Sequence, residues 1–195
     1  MEVIVTFALI ALFMGSASIV LSSFMKSHAI ANAVAKEQNV AVVVMETITD
    51  KLSAAKYQGE DYFKEELPSG EAISLTEAER KKTQLLITGG GSVVWFIDMD
   101  SGNAVKMYLE EGHLVLDYFG KDEEGNYQAP ARWQLGANVY NGCTLERFLV
   151  EQVPDSSCLT VTIILKNEGV GAENSFSMER TLECYNLSKD NITVL

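Results

Sequence analysis

The sequence predicts an α+β chain, with one long N-terminal helix packed on an antiparallel β-sheet domain. Three observations predict it. Glu2 is the only ionisable side chain before Lys26. Beyond Lys26, apolar residues recur at spacings of three and four to about residue 57, the period of a helix. After residue 82 the pattern changes to period two and stays there, as in half-buried strands.

The uncharged run 3–25 is long enough, at roughly 1.5 Å rise per residue, to cross a bilayer core. In hydrocarbon a backbone must satisfy its own hydrogen bonds, so this run has to be a helix. Glu2 stands at its mouth. A carboxylate there suits the positive end of the helix dipole, but it is costly if drawn into lipid without a partner. A cleaved secretory signal fits less well, because the apolar region is too long and no basic residue precedes it. An ordinary single-pass anchor explains the span but not the helical stripe beyond it. Gly15, Ser16 and Ser18 mark either a loosened stretch or a place where helices pack closely at small residues.

No proline occurs before Pro68 and no glycine between Gly15 and Gly59, so the helix is expected to continue. Ala29, Ile30, Ala33, Val34, Ala41, Val44, Met45, Ile48, Leu52 and Ala55 form its stripe, with Lys36, Glu37, Asn39, Glu46, Asp50 and Lys51 largely off it. Such a helix would be roughly 80 Å long, and its second half must bury its stripe against the downstream domain. The expected division is 1–25 for the membrane or filament-core half, 26–58 for the amphipathic half, and 59–195 for a β-rich head.

The stretch Glu2-Val-Ile-Val-Thr-Phe-Ala-Leu-Ile-Ala-Leu resembles the N-terminus of type IV pilins and the related pseudopilins of type II secretion and DNA uptake. Precursors in that family carry a basic leader and a G-F-T-L-[VI]-E motif that runs straight into the helix. Glu2 matches the glutamate of the motif and Met1 the hydrophobic place before it. The leader, the cleavage glycine and the phenylalanine to be methylated do not match anything here, so the sequence is expected to start at an internal Met of a longer precursor. The resemblance covers about the first 20 residues; the rest agrees in layout. It implies a structural subunit, minor and similar to the J-type pseudopilins, whose helix stacks with others in a filament. It also implies Glu2 meeting the N-terminal amine of a neighbouring subunit. The partners implied are other pilin subunits, a prepilin peptidase, an inner-membrane assembly platform and the membrane itself. The head would then be extracytoplasmic, at the cell surface or in the periplasm. The rival is a membrane-anchored extracellular ligand-binding module for which the helix is only a tether.

Residues 57–70 read as an acidic loop, and Thr76-Glu77-Ala78-Glu79 has the spacing of a capping box, so a short helix to about residue 82 is expected. The strands expected are 84–88, 93–98, 104–109, 113–119, 146–153, 159–166 and 176–185. Glu110-Glu111-Gly112 reads as a hairpin turn, 153–157 as a second turn, and 120–142 as a long surface connection. Gly89-Gly90-Gly91 lacks the lysine of a phosphate loop and leads into a strand, so a flexible connection is expected.

The net charge of −12 argues against nucleic-acid binding through a basic surface. No nucleophile elbow or paired-carboxylate signature accompanies the two histidines, His28 and His113, so no enzyme is expected. Asp98, Asp100 and Asn103 are the candidates for calcium, the one cofactor considered, but the bidentate glutamate is missing and a plain turn is expected. The three cysteines, Cys143, Cys158 and Cys184, show no zinc spacing. If 159–166 and 176–185 form a hairpin about Gly169-Val170-Gly171, Leu182 and Cys184 point inward and Cys158 outward. That disfavours a Cys158–Cys184 bridge and leaves Cys143–Cys158, Cys143–Cys184 or three thiols open.

Overall fold

A computed structural model of the protein describes residues 2–56, 67–70, 75–167 and 175–195. Most of the acidic loop expected over 57–70 and the hairpin turn expected about Gly169 lie outside them. Packing divides the chain into two units, Met1–Lys36 and Glu37–Leu195. The division falls beyond Lys26, where charge begins, because most residues from 26 to 36 are exposed.

The first unit is helix alone. Helix α1 spans Glu2–Ser53 without interruption, so Gly15 introduces no break. Its apolar residues from Val3 to Met25 are exposed. It is long and apolar enough to cross a membrane once.

In the second unit α1 gains its buried stripe. Val40, Ala41, Val44, Met45, Ile48 and Leu52 enter one core with the sheets. Glu37 departs from its expected place off the stripe: it is 2% exposed. The helix stops at Ser53, short of residue 57, although nothing in the local sequence breaks it. The Lys56 N–H instead donates to the carbonyl of Ile97 at 2.9 Å, which turns the chain out of the helix. A capping box on Thr76 starts the four-residue helix α2, Glu77–Arg80.

Two sheets complete the unit. The larger holds β1 (Leu85–Thr88), β2 (Val93–Ile97), β3 (Ala104–Glu110), β4 (His113–Phe119), β5 (Ala131–Gln134) and β9 (Ile192–Val194). Its order is β5-β4-β3-β2-β1-β9. It is mixed, because β9 lies parallel to β1. The smaller sheet is antiparallel, β6 (Cys143–Gln152), β7 (Cys158–Asn167) and β8 (Ser175–Glu183). Alternation assigns the two faces of the larger sheet. Leu85, Ile87, Val94, Phe96, Val105, Met107, Leu114 and Leu116 face the core shared with α1 and the smaller sheet. Leu86, Trp95, Ile97, Ala104 and Phe119 face the other way, under Leu67 and Leu75. Covering on both faces explains the unbroken apolar runs of β1 and β2.

Three elements went unread in the sequence. The connection 120–142 contains β5, whose four residues are all exposed, and the turn of helix α3, Ala137–Tyr140. Strand β9 has three residues and one buried side chain. Strand β6 begins at Cys143, ahead of residue 146, because a bulge between Leu145 and Arg147 resets the alternation that marks a strand.

Both tight hairpins rest on left-handed backbone. Glu111 and Gly112 have φ of 48° and 77° between the paired Glu110 and His113, the geometry of a two-residue hairpin. The Gly89–Gly91 connection is packed, not the flexible link the sequence suggests. A Cβ on Gly91, at φ +94°, would lie 2.7 Å from both the Leu149 side chain and the Val150 carbonyl oxygen.

Candidate functional sites

Three places bear on function: the exposed helix, the turn at Asp98, and the face of the larger sheet turned away from α1.

On the helix, Glu2 is the first residue of α1, and its side chain lies outside the described residues. Gly15 has open space around it, with nothing within 4 Å of a Cβ built there. Ser16 Oγ donates to the Phe13 carbonyl at 2.9 Å, an internal bond that spends its polarity within the helix. Ser18 is exposed. At the start of the second unit, Glu37 is buried with its Oε1 lacking a hydrogen-bond partner. Burial pushes its pKa up.

The turn at Asp98 holds a cation of its own. Lys51 Nζ lies 3.0 Å from Asp98 Oδ1 and 3.8 Å from Asp100 Oδ2. The other carboxylate oxygen of Asp98 accepts from the N–H and the hydroxyl of Ser101, at 3.0 and 2.8 Å. Burial works against the Asp98 charge, but the hydrogen bonds from Ser101 and Lys51 outweigh it and hold the carboxyl below its ordinary range. Burial likewise opposes the Lys51 charge, and Asp98 and Tyr118 outweigh it upward. Two of the calcium candidates, Asp98 and Asp100, thus lie against an ammonium in the turn the sequence suggests. Asn103 lends the turn its backbone, its carbonyl accepting from the Asp98 N–H at 3.0 Å. Among the described residues no group of three acidic, histidine or cysteine ligands comes together. The site ties the end of α1 to the tip of β2.

Across the outer face, Leu86, Trp95, Lys106, Asp117 and Arg132 stand in one register row from β1 to β5. Lys106 Nζ sits over the rings of Trp95 and Tyr108, 5.4 and 5.2 Å from their centroids. Arg132 grips Asp117 with two nitrogens, Nε at 3.0 Å and Nη2 at 3.2 Å. Tyr108 donates to Asp117 at 2.8 Å, and Arg132 also reaches Glu110. Burial, then the bond to Asp117, push the Tyr108 hydroxyl up to about 12. Beside this network lies a surface pocket of about 360 Å³ lined by Lys106, Asp117, Phe119, Tyr127 and Gln128 among others. It offers a cation, a carboxylate, an amide and two rings. No local pattern signals it, because its residues come from Pro68 and Ser69, from β3 and β4, and from the 120–130 connection.

Cys184 is buried, Cys158 half-buried, and Cys143 buried at the start of β6. Cys158 stands opposite Glu183, one residue from Cys184. Both Cys158 and Cys184 are thiols. Burial pushes the Cys184 thiol up to about 12, which disfavours its thiolate.

Against known proteins, no family model and no curated protein matches this chain.

Proposed function

We propose that the chain is a structural subunit, a minor pilin or pseudopilin, that assembles through α1 into a type IV pilus-like filament. The observation that supports this most is the reach of the exposed apolar surface. A membrane anchor needs about 20 residues, whereas α1 has 52. Ile30, Val34, Val42 and Val43 still present apolar surface to solvent beyond the uncharged run. A surface of that length suits packing against helices of neighbouring subunits, which would take over from lipid when the subunit leaves the bilayer. Glu2 would then find its partner in the N-terminal amine of a neighbour, since a charge brought into such a core needs one. On this reading the partners are other pilin subunits, a prepilin peptidase and a membrane assembly platform. The head stands outside the cytoplasm, and no catalysis, cofactor or nucleic acid is involved.

Glu2 provides the test. In the complete precursor, leader included, expressed beside its assembly machinery, Glu2→Ala should insert and fold normally but fail to enter filaments. A dipole interaction alone is worth only about 0.3–1 kcal/mol, too little to abolish assembly. Normal incorporation of Glu2→Ala would overturn the reading.

The pocket beside Lys106 favours a second reading, a membrane-anchored binding module. The two part on assembly. A binding module remains a monomer in detergent and in the membrane whatever stands at position 2.

A further inference from the structure

We propose that the open edge of β8 is a docking edge, taking up an extended, alternately apolar and basic segment of another protein by strand addition. Strand β8 pairs with β7 from Cys158↔Glu183 to Lys166↔Ser175 without a bulge. Its other side meets no strand among the described residues. The remaining edges are short or covered. β5 has four residues and β9 three. The edge of β6 lies under two turns of the larger sheet: the Leu145 N–H donates to the Gly112 carbonyl at 2.8 Å, and Gly91 closes on Leu149 and Val150.

A long, straight edge is a template for another strand, and proteins usually blunt it with proline, a bulge or charge. β8 has no proline and no bulge. Its one blunting device is charge, at Glu179, Arg180 and Glu183, which selects against unlike partners without closing the edge. Every residue but Leu182 is exposed or half-exposed. On its core side Phe176 and Met178 pack on the core but are only partly buried, so one more strand would complete their cover. On its outward side stand Glu179 and Glu183, opposite Thr162 and Cys158 of β7. Neither carboxylate faces a cation in that ladder. Lys166, the one cation on the outward side of β7, is held by Glu146 at 3.2 Å. Arg180, on the core side, limits the apolar contact to the stretch beside Phe176 and Met178.

These features select the occupant. A second copy paired antiparallel along the whole of β8 would centre on Glu179 and set that carboxylate against itself, which is unfavourable. The chain's net charge of −12 adds to the repulsion. A different protein bringing Lys or Arg opposite Glu179 and Glu183, and apolar side chains opposite Phe176 and Met178, meets every group the edge leaves open. The inference stands whether or not α1 assembles into a filament.

The test uses the full chain in detergent micelles and a short acetylated Lys-Val repeat peptide as probe, with binding followed by fluorescence anisotropy. Two further peptides carry N-methyl groups on alternate residues, one set along each peptide edge. In strand addition only one edge of the peptide bonds to β8, so one methylated peptide should lose binding and the other keep it. Glu179→Lys with Glu183→Lys should weaken the unmethylated peptide by about tenfold, the size expected for two cross-strand ion pairs, and should favour a Glu-Val peptide instead. A Lys-Val peptide that fails to bind, or methylated peptides that behave alike, overturns the proposal. So does a double variant that folds as the parent does and binds the Lys-Val peptide unchanged.

Discussion

Asp98 is the residue on which the attachment of α1 to the head can be tested. The residue is 4% exposed and its carboxylate accepts from Lys51 and Ser101, and charged hydrogen bonds of this kind are worth about 1.5–3 kcal/mol each. Asp98→Asn keeps the shape and removes the charge, leaving the exposed Asp100 as the carboxylate near Lys51, beside Tyr118. The expected loss is about 1–3 kcal/mol of head stability at neutral pH, read from denaturant unfolding. The pH dependence has a definite sign. The folded pKa of Asp98 lies below the unfolded value, so its contribution is present above about pH 4 and disappears as pH falls through the lower folded value. The parent should therefore lose stability over that acid window more steeply than Asp98→Asn. Equal slopes would show that Asp98 is not the group responsible.

Among the elements, the β1–β2 connection shows how a sequence signal and its physical cause can differ. Three successive glycines suggest flexibility, yet each has positive φ and the third lies against β6. Gly91→Ala must strain its backbone and push its Cβ into Leu149 and the Val150 carbonyl. A loss of about 1–3 kcal/mol is expected, with the damage seen as faster amide exchange along β6. Gly90 makes a control, because a Cβ there meets nothing within 4 Å. If Gly90→Ala costs as much as Gly91→Ala, the close approach to β6 is not what requires glycine. The bulge in β6 has a similar lesson: Leu145 and Phe148 both face the core although three residues apart, so alternation fails where the strand begins.

At the scale of the whole molecule, the exposed apolar surface of residues 3–25 and the packed head make separable demands. A chain beginning at Lys26 keeps every residue of the second unit and sheds that apolar surface. It should be soluble without detergent, run as a monomer in sedimentation, and unfold in one cooperative transition. Aggregation, or unfolding without cooperativity, would show that the head depends on the removed helix.

The sequence by itself determined the long helix, its apolar first half, the α+β class and most of the strands. These properties are written in the period and charge of contiguous residues: an uncharged run, a stripe at three and four, an alternation at two. The facing of Cys184 and Cys158 was legible for the same reason, since one register argument places every side chain of a regular hairpin. Only the tertiary structure decided the rest. The helix ends at Ser53 because Ile97, distant in sequence, captures the Lys56 N–H. Asp98 and Asp100 meet Lys51 because α1 ends beside the β2 turn. Glu37 is buried although its neighbours in sequence suggest exposure. β5 and β9 are strands because β4 and β1 offer edges, not because their own few side chains are apolar. The open edge of β8 is likewise a property of sheet order, which no local pattern encodes.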